Sequence, residues 1–441
     1  MLDIKFIREN KEAVKKNCEI RNFKVNIDQL LEVDEKRRSL LVEIENLKAQ
    51  KNQLNDKMVK AEKAEREKLI KEGKNVKDEL SAKEPQLEEI EKEYKNLLIR
   101  VPNMTHPDSP VGKDDSENKE IERYGNTPEF NFHPKGHEEI MKNLDLADFE
   151  RAAKVTGAKF YFLKNEGALL EIALTNYAFE ILLKEGFSPF ITPDLAKDKV
   201  LLGIGYNPRG EETQIYSIEN SDLNLVGTAE ITMGGYHMDE ILPEKDLPKK
   251  YAALSHCYRT EAGGYGRHSA GLYRVHQFTK IEMFIYCQPE ESSEMHDLLK
   301  SLEVKIFDGL KIPFRVVDIC TGDLGGPAYR KYDLEAFMAS RLPQDYNHEG
   351  GKIPEEILKQ SWGEITSTSN CTDYQARRLN VKIEKEGGKK EYLHMLNGTA
   401  IAVSRALIAI LENYQQKDGS IIVPEVLRKY TGFDKIERKR S

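Results

Sequence analysis

The sequence predicts an α+β fold: a body built on an antiparallel sheet, preceded by an N-terminal antiparallel α-helical coiled-coil arm. Three observations lead there. From about Asp28 to Leu98 the chain is rich in Lys, Glu and Leu, nearly free of aromatics, and periodic in its apolar residues. Beyond that stretch, amphipathic helical segments alternate with short apolar or β-rich runs at irregular spacing. No GxxxxGK(S/T) and no strand-linked GxGxxG occurs, so neither a P-loop enzyme nor a doubly wound nucleotide fold is supported, and an antiparallel α+β body is the better reading.

The arm follows from its seams. Leu30, Val33, Arg37, Leu40, Ile44, Leu47, Lys51, Leu54, Met58 and Ala61 step alternately by three and four, a heptad seam with two charged interruptions. A second seam runs through Leu69, Val76, Leu80, Leu87, Ile90, Tyr94 and Leu97. Two adjacent seams of similar length on one chain predict a helical hairpin, and helices of roughly 35 residues would reach about 50 Å. Pro85 falls inside the second seam and is expected to bend or break that helix. Residues 36–77 hold 13 Lys and Arg against 7 Asp and Glu. That local excess suits a phosphate-facing surface, and equally a solvated face on a structural or dimerising coiled coil.

After Leu98 the pattern stops at VPNMTHPDSPVGKDDSEN, which reads as a linker. The expected organisation is therefore an arm over 1–100, a linker over 101–125 and a body over 126–441. Runs at Tyr251 to Leu254, Phe278 to Cys287 and Phe314 to Ile319 are the body's clearest strands.

Composition narrows the function. A chain of 441 residues, 39% hydrophobic and 32% charged, suits a soluble protein of at least two domains. No run of about 18 apolar residues appears and MLDIKFIRENKEAV lacks a signal-peptide core, so a cytoplasmic protein without membrane contact is expected. Five scattered cysteines without a CxxC pair predict reduced, buried thiols. The net charge of −8 speaks against indiscriminate nucleic-acid binding, without excluding local patches.

The segment HCYRTEAGGYGRHSAGLYRVHQFTKIEMF, His256 to Phe284, reads as strand, loop, strand. Gly263, Gly264, Gly266 and Gly271, with Arg267 and His268 among them, permit backbone approach to a ligand. Arg259 offers a fork shaped for a phosphate, although a plain hairpin with charged surface residues would look similar. Near the C-terminus, Arg405 sits in an apolar helix expected over Ile401 to Leu411, where a cation must be paired or must meet an anion. Asn397, Gly398 and Thr399 are expected just before that helix, where hydroxyls and free backbone N–H groups cap the end or meet a ligand. Two acidic segments, LVGTAEI with Thr228 and Glu230, and GEITSTSN with Glu364 and Ser367, supply carboxylates of the kind that hold magnesium or an ammonium group. Taken singly, each acid would pass for a solvated or helix-capping residue.

Jointly, RTEAG, GLYRVHQFTKIEMF, TAE, LNGTAIAVSR and LENYQQKDGSIIVPEVL resemble the seryl-tRNA synthetases, a class II aminoacyl-tRNA synthetase family. The likeness extends to the arm, to PNMTHPDSPVGKD, to DFERAAKVTGAKFYFLK and to EGFSPFITP, which resembles the class II dimer motif with Pro193 as its proline. The resemblance implies a seven-stranded-type antiparallel catalytic sheet, a homodimer, and ATP bound bent with magnesium. It assigns Arg259 to the α-phosphate, Arg405 to the γ-phosphate and Phe278 to the adenine, with Thr260, Glu261 and Val275 close by. Glu364 and Ser367 match the positions that hold magnesium and ATP, with Ile365 and Thr366 between them. Thr228, Ala229, Glu230, Glu282 and Thr399 match the pocket for L-serine. The activity so implied is a serine–tRNA ligase that acts on tRNA(Ser) and, in some members, on tRNA(Sec).

Three departures stand out. Residues 338–363 form a longer stretch before Glu364 than the pattern leads one to expect, read as a surface insertion near the active site that shifts the alignment of Trp362 and Gly363. TSTSN stands where SSCSN is usual, and Thr399 where serine is commoner, which implies a slightly smaller pocket. No Cys/His cluster of the zinc-dependent branch accompanies the pocket acids.

Overall fold

A computed structural model of the chain describes residues 1–208, 214–261, 271–343, 346 and 352–438. The chain divides into two compact units, Met1–Met104 and Thr105–Ser441.

The first unit is helical: α1 (Ile4–Glu9), α2 (Lys11–Ile20), α3 (Ile27–Lys60) and α4 (Lys63–Leu98). The Asn26 side chain accepts from Gln29 N at 3.1 Å and starts α3. Only residues 61–62 separate α3 from α4, so the two long helices pack side by side as a hairpin. Leu40, Ile44 and Leu54 meet Leu69, Val76 and Leu80 in one apolar seam, as the heptads predict. The charged interruption at Arg37 turns to lateral partners: its guanidinium lies 4.8 Å from the Tyr94 ring centroid, and Nε lies 3.6 Å from Glu91. Pro85 does not break α4, which runs through it. The proline forfeits one bond to the Ser81 carbonyl, and the seam on both sides, Leu80 and Leu87, holds the helix across the gap.

The second unit is organised by a sheet that has eight strands among the described residues. They are β1 (Lys119–Tyr124), β2 (Ser188–Ile191), β3 (Lys249–Tyr258), β4 (Gln277–Cys287), β5 (Phe314–Asp318), β6 (Arg330–Phe337), β7 (Trp362–Asn370) and β8 (His394–Ala402). Their order is β1-β5-β6-β7-β8-β4-β3-β2, antiparallel throughout except between β3 and β2. The seven-stranded expectation thus gains an edge strand, β1, and β1 lies in what composition marked as linker. Its alternation of exposed and half-buried residues is typical of an edge.

Helices flank the sheet: α5 (His137–Asn143), α6 (Asn165–Lys184), α7 (Ala229–Gly235), α8 (Ser292–Gly309), α9 (Tyr374–Leu379) and α10 (Val403–Asn413). Period-two alternation in β4 sends Ile281, Met283 and Ile285 into a large core with α6, α8 and α10. Phe284 and Tyr286 enter a smaller core with α7 and α9. Each such side chain contributes roughly 1.5–3 kcal/mol.

Two expectations need correcting. Asn397 to Thr399 do not cap a helix; they lie inside β8, and the helix carrying Arg405 begins at Val403. β8 pairs with β4 on one side and β7 on the other, a buried position that suits the β-branched Thr399 and Ile401. The 338–363 insertion is not merely superficial. Its flanks, Phe337, Leu342, Leu358 and Trp362, form a small core with Phe130, and Trp362 and Gly363 begin β7 in register with Phe337 and Ala336. All five cysteines are buried and free.

Candidate active site

The β3–β4 hairpin sets the floor of the site. On β4 the residues Phe278, Lys280 and Glu282 share the face opposite the large core, and Arg259 follows directly after β3. Arg259 N donates to the His276 carbonyl at 3.0 Å, which fixes the backbone from which its side chain leaves. Its guanidinium lies 5.3 Å from the Phe278 ring centroid, and Nε donates to the Gly227 carbonyl at 3.4 Å. Residues 262–270, with Arg267 and His268, lie outside the described residues.

Two β-bulges aim the remaining groups. In a regular strand Glu364 and Ser367, three apart, would face opposite sides. The register of β7 against β6 slips at this point, Leu334 pairing with Thr366 and Glu335 with Glu364, so Ile365 is the extra residue. Glu364 and Ser367 therefore open on one cavity. The side chains between them turn away: Ile365 joins the large core, and Thr366 Oγ1 donates to the buried Glu303 of α8 at 2.9 Å. β8 slips likewise between Thr399 and Ile401, which brings Thr399 and Ala402 onto one wall.

Arg405, on the first turn of α10, reaches Glu364 Oε1 at 3.1 Å and the Glu364 carbonyl at 3.2 Å. The Tyr273 ring supports it from below, 4.7 Å from centroid to guanidinium, and Arg341 lies over the same ring at 4.6 Å. The Glu364 carboxylate is 40% exposed, into this cavity. Burial in the body would raise its pKa, but Arg405, Lys331 and Arg259 outweigh that and hold it down at about 2. Arg259, Glu261, Tyr273, Val275, Phe278, Glu364 and Arg405 line one continuous hollow.

A second hollow of about 450 Å³ adjoins the first, sharing Arg259, Lys280, Glu364 and Thr399 as walls. Thr228, Glu230, Glu282, Ser367 and Asn397 line it. Glu282, 2% exposed, pairs with Lys280 and accepts from Thr228 Oγ1 at 3.2 Å and Thr399 Oγ1 at 3.4 Å. Glu230, at the start of α7, has neutral partners: Gln375 Nε2 at 2.9 Å, Asn397 Nδ2 at 3.0 Å and Tyr206 OH at 3.4 Å. Burial, aided by the nearby Glu282 charge, pushes the Glu230 carboxyl up to about 7. This is a poised acid, ready to ionise when a cation arrives.

Most of the residues named from the sequence thus meet around two joined hollows. Exceptions are Thr260, whose backbone N donates to Gln214, and Ala229, fully buried in the smaller core. Ile365 and Thr366 border the first hollow but commit their side chains elsewhere. Sequence reasoning missed Tyr206, Tyr273, Lys280, Lys331 and Gln375. Of these, Lys280 stands two residues from both Phe278 and Glu282, so strand periodicity alone could have placed it on the same face. Glu364 and Ser367 are among the oxygen donors facing the second hollow, with Glu230, Glu282 and Asp323. No cluster of three or more His, Cys, Asp or Glu able to hold a metal exists among the described residues.

Residues 214–414 match the class II tRNA synthetase core domain (G, H, P, S and T), and residues 1–105 match the seryl-tRNA synthetase N-terminal domain. The serine–tRNA ligase of Treponema denticola is 54% identical over 437 residues, 99% of this chain and 100% of that protein. That of Dictyoglomus thermophilum is 54% identical over 443 residues, 100% of both. Among solved structures, the seryl-tRNA synthetase from Pyrococcus horikoshii complexed with ATP superposes with a TM-score of 0.88 at 38% identity, covering 100% of each chain. The cytoplasmic serine–tRNA ligase from Naegleria fowleri in complex with AMP gives 0.84 at 31%, covering 100% of this chain and 99% of the other. With the whole length covered at such identity, the chain belongs to the seryl-tRNA synthetase family.

Proposed function

We infer that the protein is a serine–tRNA ligase: it activates L-serine with ATP to seryl-adenylate and transfers the seryl group to the 3′ end of tRNA(Ser). The observation that carries this is the meeting of Arg259 and Arg405, 146 positions apart in the numbering, on one hollow that opens into an acidic, hydroxyl-lined one.

In the first step a serine carboxylate oxygen attacks the α-phosphorus in line. A P–O bond forms, the bond to the bridging oxygen breaks, and pyrophosphate leaves. Arg259 faces the α-phosphate and Arg405 the γ-phosphate, with Phe278 against the adenine and Thr260, Glu261 and Val275 near it. Two fixed cations meet charge as it develops, so catalysis is positioning plus electrostatics and needs no covalent nucleophile. Glu364, held ionised, and Ser367 would hold magnesium, which would withdraw charge from the phosphates. In the second step the terminal ribose hydroxyl attacks the activated carbonyl and AMP leaves.

Glu282 already carries Lys280 as its counter-ion, so Glu230 is the carboxylate available for the serine ammonium. Thr228, Thr399 and Glu282 then surround the hydroxyl. Alanine would leave these groups unpaired, a penalty able to discriminate by about 10⁴–10⁵, whereas threonine must be excluded by shape around Thr399.

The homodimer is part of the proposal. Edge strand β2 and the neighbouring α6 leave Ile191 84%, Ile172 55% and Leu169 45% exposed, an apolar patch of the kind a second copy covers. The arm of residues 1–100, with its basic stretch, is proposed to meet tRNA, the tRNA(Sec) reading included, and 126–441 to be the catalytic domain. No helix among the described residues is long and apolar enough to cross a membrane, and the cytoplasm is the proposed location.

Serine-dependent exchange of pyrophosphate into ATP, followed by charging of purified tRNA, tests the reading. Serine is expected to drive exchange far better than threonine or alanine. Exchange driven equally by threonine would overturn the substrate assignment, and exchange without tRNA charging would point to another acceptor. Removing residues 30–97 is expected to spare exchange and cut charging by about 10²-fold or more, through lost phosphate contacts.

A further inference from the structure

Outside the substrate hollows lies a buried histidine–carboxylate pair, His137 and Glu412, 6% and 0% exposed. The pair and its two backbone partners come from four separate segments. His137 N and Nδ1 approach Glu412 Oε1 at 3.0 Å and 2.7 Å, and Ser340 N donates to Glu412 Oε2 at 2.9 Å. On the other side of the ring, Leu272 N donates to His137 Nε2 at 3.1 Å. A backbone N–H can only donate, so Nε2 is the accepting nitrogen, and Nδ1 carries the proton given to Glu412.

What these bonds hold in place matters more than the pair itself. Leu272 precedes Tyr273, the ring on which the Arg405 guanidinium rests, and Ser340 precedes Arg341, which lies over the same ring. Glu412 stands on α10, the helix that presents Arg405. Arg341 Nη1 also donates to the Trp362 carbonyl at 2.7 Å, two residues before Glu364. The approach is close enough that a Cβ on Gly271, whose φ is +62°, would collide with the His137 ring. Three chain segments that share no sequence proximity are thus tied to one imidazole and one carboxylate, and every one of them ends at the Tyr273–Arg405 stack.

We propose that His137 is a positioning residue for ATP: locked in one tautomer by Glu412, it fixes the Leu272 backbone so that Tyr273 holds Arg405 where the γ-phosphate arrives. His137 touches no substrate. It acts through Tyr273 and Arg405, so its influence falls on ATP and leaves serine, bound at the Glu230 end, unaffected. The inference rests on ATP lying between Arg259 and Arg405. Exchange by the unmodified protein tests that reading, and variants of His137 test the positioning.

Asparagine can reproduce the Nδ1 donor to Glu412 but cannot reach Leu272, whereas glutamine can place an acceptor oxygen near the Nε2 position. His137→Asn is expected to raise KM for ATP in serine-dependent exchange by about 5- to 10-fold, the effect of one lost hydrogen bond, with KM for serine within about twofold. His137→Gln is expected to return KM for ATP to within about twofold of the original. Thermal unfolding of both variants is measured alongside. An unchanged KM for ATP in His137→Asn overturns the proposal. So does an equal rise for both substrates, a failure of glutamine to restore ATP binding, or loss of folding in either variant, since each would make the pair a structural support only.

Discussion

The two ends of the joined hollows use opposite electrostatics. At the end proposed for the nucleotide the charges are fixed in advance: Arg405 and Arg259 rest on aromatic rings, and Glu364 is held down at about 2. At the end proposed for the amino acid, Glu230 has neutral hydrogen-bond partners, and burial pushes its carboxyl up to about 7. The difference follows from what each end receives. A triphosphate is always highly charged and is best met by preorganised cations, whereas serine brings one ammonium and one hydroxyl that must be told apart from close analogues.

This contrast can be broken in graded steps. Arg259→Ala should cost the most, about 10²–10³-fold in kcat/KM for exchange, because a preset charge at the α-phosphate disappears; steady-state exchange measures it. Glu230→Gln should raise KM for serine by roughly 10- to 100-fold, the range for a hydrogen bond to a charged group, and leave KM for ATP near its original value. A pH series separates the two ends without mutation. Serine ammonium favours ionised Glu230, so binding releases a proton when the pH is below the free-state pKa of about 7. KM for serine should therefore climb as pH falls through about 7, approaching tenfold per unit, and KM for ATP should show no matching rise attributable to Glu364, whose proton leaves at about 2. The smallest effect is expected from Thr399→Ser. Removing one methyl, worth about 0.8 kcal/mol, should ease threonine entry by about fourfold in KM, seen in threonine-dependent exchange.

How much of this was legible in the sequence differs by region. The arm was nearly transparent, since α3 and α4 are governed by local periodicity and their seam is the heptad pattern itself. Even there, the break that Pro85 allowed for does not occur: α4 runs through it, with seam packing on either side. In the body, strands β3, β4 and β5 were visible as apolar runs, but Asn397 to Thr399 were not placed, since only the long-range pairing of β8 makes that segment a strand. Within the site, motif residues could be named, yet their facing could not. The bulges at Ile365 and Ala400 decide which side chains reach the cavity, and nothing in ITS or TAI announces them. Tyr273 and Lys331 escaped notice because each acts on a group distant in sequence: Tyr273 on Arg405, and Lys331 through its field on Glu364.

The central claim is that Arg259 and Arg405 grip different phosphates of one nucleotide. Equilibrium binding of ATP and of AMP to the unmodified protein, Arg259→Ala and Arg405→Ala measures it directly. Loss of Arg259 should weaken both nucleotides, and loss of Arg405 should weaken ATP by at least about tenfold while sparing AMP, which has no γ-phosphate. Undiminished ATP binding without Arg405, or an equal loss for AMP, would contradict the account.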